Sequence, residues 1–157
     1  MENALVKFRV GGTDPPVVVK AKAGFFIPTW SPTGEWITFL SSDGEWWLVS
    51  PDGKSERKLG GFRTLFLMWS RDGKTLYGIR FNEKQHHIFF SLDVASGRQK
   101  ELEDMGTGFA PRGRQQGSYE FSLAPDGRSV AISMMKVRSD LWMIEGFNSP
   151  RGWFWRW

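Results

Sequence analysis

Cysteine is missing from this 157-residue chain, and histidine occurs only twice, side by side at His86 and His87. Without thiols there is no disulfide, no thiolate nucleophile and no Cys-based zinc site, while the compartment stays open because exported proteins also dispense with cysteine. Adjacent strand residues point to opposite faces, so the two histidines cannot share one metal ion. They are expected in a hairpin turn, and no metal site is expected. No Ser/His/Asp arrangement can be assembled from them, and the G-x-S-x-G elbow, the H-E-x-x-H spacing and the kinase loops are absent. The chain is therefore expected not to be an enzyme and to need no cofactor.

Long apolar runs are lacking too. Nowhere do 18 apolar residues follow one another, and MENALVKFRVGG has no basic stretch leading into an apolar one. Neither a membrane span nor a signal peptide is expected, and localisation is left undetermined. Net charge is only +4, with 17 acidic residues interspersed among 21 basic ones, so nucleic acid is not an expected partner. Helical periodicity is the last absence: no stretch of ten residues carries i, i+3, i+4, i+7 apolar spacing, which makes the class all-β.

What the chain does have is aromatic bulk, 15% of residues with nine tryptophans, and a repeat. Trp30-Ser31-Pro32-Thr33-Gly34-Glu35-Trp36-Ile37 returns 39 residues later as Trp69-Ser70-Arg71-Asp72-Gly73-Lys74-Thr75-Leu76. After 54 more it returns as Leu123-Ala124-Pro125-Asp126-Gly127-Arg128-Ser129-Val130. The first spacing is close to the roughly 40–45 residues of a four-stranded blade, and an insertion at 103–117 explains the second. In each copy a tight turn, with Gly34, Gly73 or Gly127 at positive φ, leads into an apolar strand. Strands are expected at 36–40, 46–50 and 57–59, then 76–80, 88–92 and 99–102, then 119–123, 130–134 and 140–144. Segments 5–10 and 17–20 look like the outer strands of a preceding blade. Trp30, Trp69 and Trp142, which recur in this motif, are expected to pack between blades.

The run FIPTWSPTGEWITFLSSDGEWWLVSPDGKSERKL at 26–59 resembles one unit of the TolB-like, WD40-like repeat of bacterial β-propellers. Copy two, at 65–102, resembles it well. Copy three is degraded, with Leu123-Ala124 in place of Trp-Ser, although Asp140-Leu141-Trp142 stands. Thr33 and Arg71 depart from the usual Asp and Pro of the turn. The stretch from Leu76 through Ser139-Asp140-Leu141-Trp142-Met143-Ile144-Glu145-Gly146-Phe147 also resembles the C-terminal end of propellers attached to bacterial Ser/Thr kinases and winged-helix regulators. That resemblance implies a sensory or docking module.

The expected architecture is a partial β-propeller over 1–147: outer strands 1–22, blades 26–59 and 65–102, an incomplete blade 118–147, and an aromatic tail 148–157. Rings close with about 4–8 blades, and open blade faces are apolar, so roughly three blades call for a partner. The chain itself is the expected one, a homodimer closing a six-bladed ring. The insertion offers Phe109, Arg112, Arg114 and Gln115 as candidates for an acidic ligand or partner carboxylate, the plain alternative being a solvated linker. Trp153, Trp155 and Trp157 alternate at strand period, as a missing outer strand, a subunit interface, a membrane-surface contact or a frayed end. The expected function is a non-catalytic interaction module for a protein or small ligand. The alternative is an accessory propeller, or half, of a hydrolase- or peptidase-type enzyme.

Overall fold

The computed structural model describes residues 4–21, 25–62, 64, 66–107, 110–111 and 121–135. Strands β1 (Ala4–Lys7) and β2 (Val17–Ala21) form an antiparallel pair. The first full blade is the four-stranded meander β3 (Phe25–Trp30), β4 (Ile37–Ser41), β5 (Trp46–Val49) and β6 (Glu56–Gly60). The second is β7 (Leu67–Trp69), β8 (Thr75–Phe81), β9 (His87–Asp93) and β10 (Gln99–Asp104). A short strand β11 (Ala110–Pro111) follows, then β12 (Phe121–Leu123), β13 (Val130–Ile132) and β14 (Met134–Met135). Strands β12 and β13 pair as the start of a third blade, and β11 pairs with β14. No helix occurs among the described residues, so none there is long and apolar enough to cross a membrane. The all-β class and the partial propeller are as expected. Segment 103–117, the expected insertion between blades, carries the end of β10 and β11, and Met134 belongs to β14 rather than to the strand beginning at Val130.

The hairpins form because their turns satisfy their own polar groups. Ser70 Oγ donates to Asp72 Oδ1 at 2.6 Å and accepts the Thr75 N–H at 2.9 Å, while Asp72 Oδ1 also accepts the Lys74 N–H at 3.1 Å. Gly73, at φ 68°, donates its N–H to Ser70 O and closes the turn. Ser50 and Asp52 repeat the set between β5 and β6. In the third copy Ala124 has no hydroxyl, and the side-chain bond left is from the Arg128 N–H to Asp126 Oδ1. Hydroxyl and backbone donors hold Asp72 below the usual carboxylate range, the Ser70 hydroxyl contributing most.

Strand alternation sends each sheet's side chains to two faces, and three cores result. Leu5 and Val19 of β1 and β2 meet Ile37, Phe39 and Val49. Leu40, Trp46 and Leu48 of the first blade meet Leu67, Trp69, Leu76, Phe90 and Leu92 of the second. Ile79 and Phe89 of the second meet Phe121 of the third. Each such burial stabilises by about 1.5–3 kcal/mol. Gly78 sits in a tight spot of the core: a Cβ there would lie 2.9 Å from Leu67 Cδ2 and from the Phe90 ring. Trp46 is wholly buried, and its Nε1–H donates to Thr64 O at 3.0 Å.

Two local expectations are corrected. Trp69 packs between blades and is 7% exposed, but its repeat counterpart Trp30 is 49% exposed. The β1–β2 pair packs on β4 and β5 of the first blade, and among the described residues no further strand extends it over Trp30 on β3, which lacks the wall that the first blade gives Trp69. His87 is the first residue of β9, buried, with only His86 in the turn. The Asn82 side chain organises that turn, its Oδ1 accepting the Lys84 and His86 N–H groups at 2.9 and 3.0 Å. The expected strand at 140–144, and Trp142 with it, lies outside the described residues.

Candidate functional site

Register makes the two blades comparable position by position. Ile37 pairs with Val49 and Leu76 with Leu92, so Leu48, opposite Thr38, corresponds to Ser91, opposite Tyr77. One strand further out, Arg57 opposite Leu48 corresponds to Lys100 opposite Ser91. Both outer strands carry a bulge, at Leu59 and Leu102.

At the junction of the first and second blades these positions are filled. Trp46, Leu48 and Trp69 are buried there, with Trp36 and Leu59 packed against them. The Arg57 guanidinium reaches across to Ala95 O at 2.9 Å and to Val94 O, sealing the outer edge. Thr33 of one turn abuts Gly73 of the next so closely that a Cβ on Gly73 would lie 2.9 Å from Thr33 Cγ2.

At the junction of the second and third blades the same positions hold smaller side chains. Thr75 stands where Trp36 stands, Phe89 for Trp46, Ser91 for Leu48 and Leu123 for Trp69. A cleft of about 460 Å³ opens there, lined by these four together with Lys100, Arg128 and their neighbours. Gly127 meets nothing within 4 Å of where a Cβ would be. Tyr77 and Phe89 stack at 5.8 Å with planes 10° apart along one wall. The cleft lies toward the edge that carries the β7–β8 and β12–β13 turns.

The opposite edge holds the base of the insertion. His86 Nδ1 lies 2.9 Å from Asp104 Oδ2, and Asp104 Oδ1 accepts the Gly106 N–H at 2.8 Å. The His86 contact, ahead of the Gly106 amide, holds Asp104 below the usual carboxylate range. His87 joins the backbone of the 105–106 segment in both directions, its N–H donating to Gly106 O and its carbonyl accepting from the Met105 N–H. Phe109, Arg112, Arg114 and Gln115 lie outside the described residues, as do Trp153, Trp155 and Trp157. None of the sequence-derived candidates is therefore among the described residues. Lys100, Arg128 and Ser91 were missed, although the exchange of Trp-Ser for Leu123-Ala124 was the signal that a space opens beside the third copy. Among the described residues no group of three or more His, Asp or Glu is placed to hold a metal ion.

A third feature is the open face of the first blade. Besides Trp30, the outward sides of β1 and β2 expose Val6, paired with Val18, and the chain after β1 exposes Phe8.

No protein-family model matches the chain, and no curated protein matches it. A solved structure described as an oligogalacturonate lyase in complex with manganese is similar, with TM-score 0.58 and 17% identity over 74% of this chain and 32% of that one. That neighbour is a seven-bladed β-propeller, and the likeness shows the fold: this chain is a partial propeller. The chain spans about a third of the neighbour's length, roughly two blades of seven. The expectation that the chain is not an enzyme is overturned, because this propeller neighbour is one. The physical reason is that a propeller channel gathers side chains from every blade, so two histidines in two or three blades do not measure a ring's catalytic supply.

Proposed function

We propose that this chain is an interaction module, a propeller segment that associates through the open face of its first blade, with a second copy of itself as the partner. The observation that carries this is the pair Trp30 and Trp69. They occupy the same position in successive repeats, yet Trp69 is buried against the preceding blade, its Nε1–H pointing to Thr29 O at 3.4 Å, while Trp30 stands uncovered. The outward side of the β1–β2 pair, with Val6 and Val18, and the nearby Phe8 are exposed as well, apolar surface of the kind that a blade junction covers. Light scattering after size exclusion should give about twice 18.0 kDa, and Trp30→Lys should halve the mass while leaving the fold intact. A monomer at every concentration would sink the reading.

A second reading is favoured by the enzymatic neighbour: the segment serves as part of a propeller enzyme acting on an acidic polysaccharide. Turnover of polygalacturonate by the assembled protein, abolished by a single side-chain change, would support it.

A further inference from the structure

We infer that the cleft between the second and third blades binds a small organic anion, a carboxylate carried on a hydroxylated body. This is independent of how the blades associate, because the cleft lies on the far side of the second blade from Trp30.

Charge comes first. The lining contains two cations, Lys100 and Arg128, and no carboxylate. The acids close by in sequence are engaged elsewhere: Glu101, next to Lys100, pairs with Arg80 at 2.6 Å, Asp93 Oδ1 takes the Ser96 hydroxyl at 2.6 Å and its N–H at 2.8 Å, and Asp126 takes the Arg128 N–H. Arg57, the counterpart of Lys100, spends its charge on two carbonyls of the next blade. Among the described residues the Lys100 ammonium and the Arg128 guanidinium make no ion pair. A cation pair on one concave surface, converging from two blades, selects for an anion.

Hydroxyl groups come second. Thr75, Tyr77, Ser91 and Ser129 line the same space, where the first junction has Trp36, Thr38, Leu48 and Thr75. Two of the four positions exchange an apolar side chain for a hydroxyl, which supplies donors and acceptors for a ligand's own hydroxyls. The Tyr77–Phe89 stack and Leu123 give an apolar wall, and about 460 Å³ suits a body of sugar-acid size.

The test uses the ¹⁵N-labelled full chain titrated with sodium glucuronate, glucose and sodium acetate. Glucuronate should shift the amides of Ser91, Leu102 and Ser129 saturably. Glucose, without charge, and acetate, without hydroxyls, should each bind at least about tenfold more weakly. Lys100→Gln and Arg128→Gln, both at exposed positions where folding is not at issue, should each weaken glucuronate by about tenfold. Ser91→Leu, which restores the side chain of the first junction, should abolish the shifts. Acetate binding as well as glucuronate would overturn the hydroxylated body. Absence of saturation, shifts centred outside the cleft, or indifference to both Gln variants would overturn the site.

Discussion

The junction between the first and second blades is dry and filled, whereas that between the second and third is part hollow and polar, although both are built from the same repeat. At the first, Trp36, Trp46, Leu48 and Trp69 interdigitate and Arg57 ties the outer strand to the next blade's turn. At the second, Thr75, Phe89, Ser91 and Leu123 occupy those positions and the Lys100 cation is left exposed. The backbone of the first two blades repeats, down to the bulge at Leu59 and Leu102, while the side chains at corresponding positions differ in volume and polarity. A propeller keeps its strands in register through hairpin turns and ladder bonds, and so tolerates an incompletely filled junction without losing the blade.

The comparison can be broken most forcefully at Trp46. Trp46→Ala should cost about 3–5 kcal/mol in denaturant unfolding, through lost burial and an orphaned Thr64 carbonyl. Phe89→Ala, beside the cleft, should cost clearly less; equal losses would mean that the second junction is as tightly packed as the first. Gly78→Ala should cost about 1–3 kcal/mol, since its Cβ enters the filled side of the second blade against Leu67 and Phe90. Ser91→Leu acts with the opposite sign. Filling the hollow junction should raise the unfolding midpoint by about 0.5–2 kcal/mol of stability, and a loss would show that the Ser91 hydroxyl has a buried role.

Smaller effects sharpen the contrast. Arg57→Ala should destabilise by about 1 kcal/mol because two carbonyls of the next blade lose their donor, whereas Lys100→Ala should stay within about 0.5 kcal/mol. The first hairpin turn of the second blade carries an acid sensitivity of its own. Asp72 has a folded-state pKa below its unfolded one, so its contribution is present above the unfolded value and is lost as pH falls through the folded value. Ser70→Ala removes the leading cause of that depression and should flatten this part of the stability-against-pH curve. A curve unchanged by Ser70→Ala would show that the hydroxyl does not govern the turn.

Much of this was legible in advance. The repeat at Trp30-Ser31-Pro32-Thr33-Gly34 and its return at Trp69 located the first hairpin of each of the first two blades, because a turn needing positive φ at one residue and a hydroxyl or carboxylate at its neighbours leaves few sequence solutions. The candidate site was less legible. Loop length pointed to 103–117, which lies partly outside the described residues, while the cleft is composed of strand residues that are individually ordinary. Thr75, Ser91, Lys100 and Arg128 are spread over 54 residues and say nothing about one another until register lines them up. The non-catalytic expectation failed for a related reason, since a histidine count is a property of a segment and catalysis is a property of a whole ring.

By itself the sequence determined the all-β class, the blade repeat, the turn chemistry and the degraded third copy, because those depend on residues within a few positions of one another. Only the tertiary structure decided which copy of the motif tryptophan is buried and where a junction is left open. Burial is set by what the neighbouring blade supplies, and a cavity is a difference between facing side chains that no single strand contains.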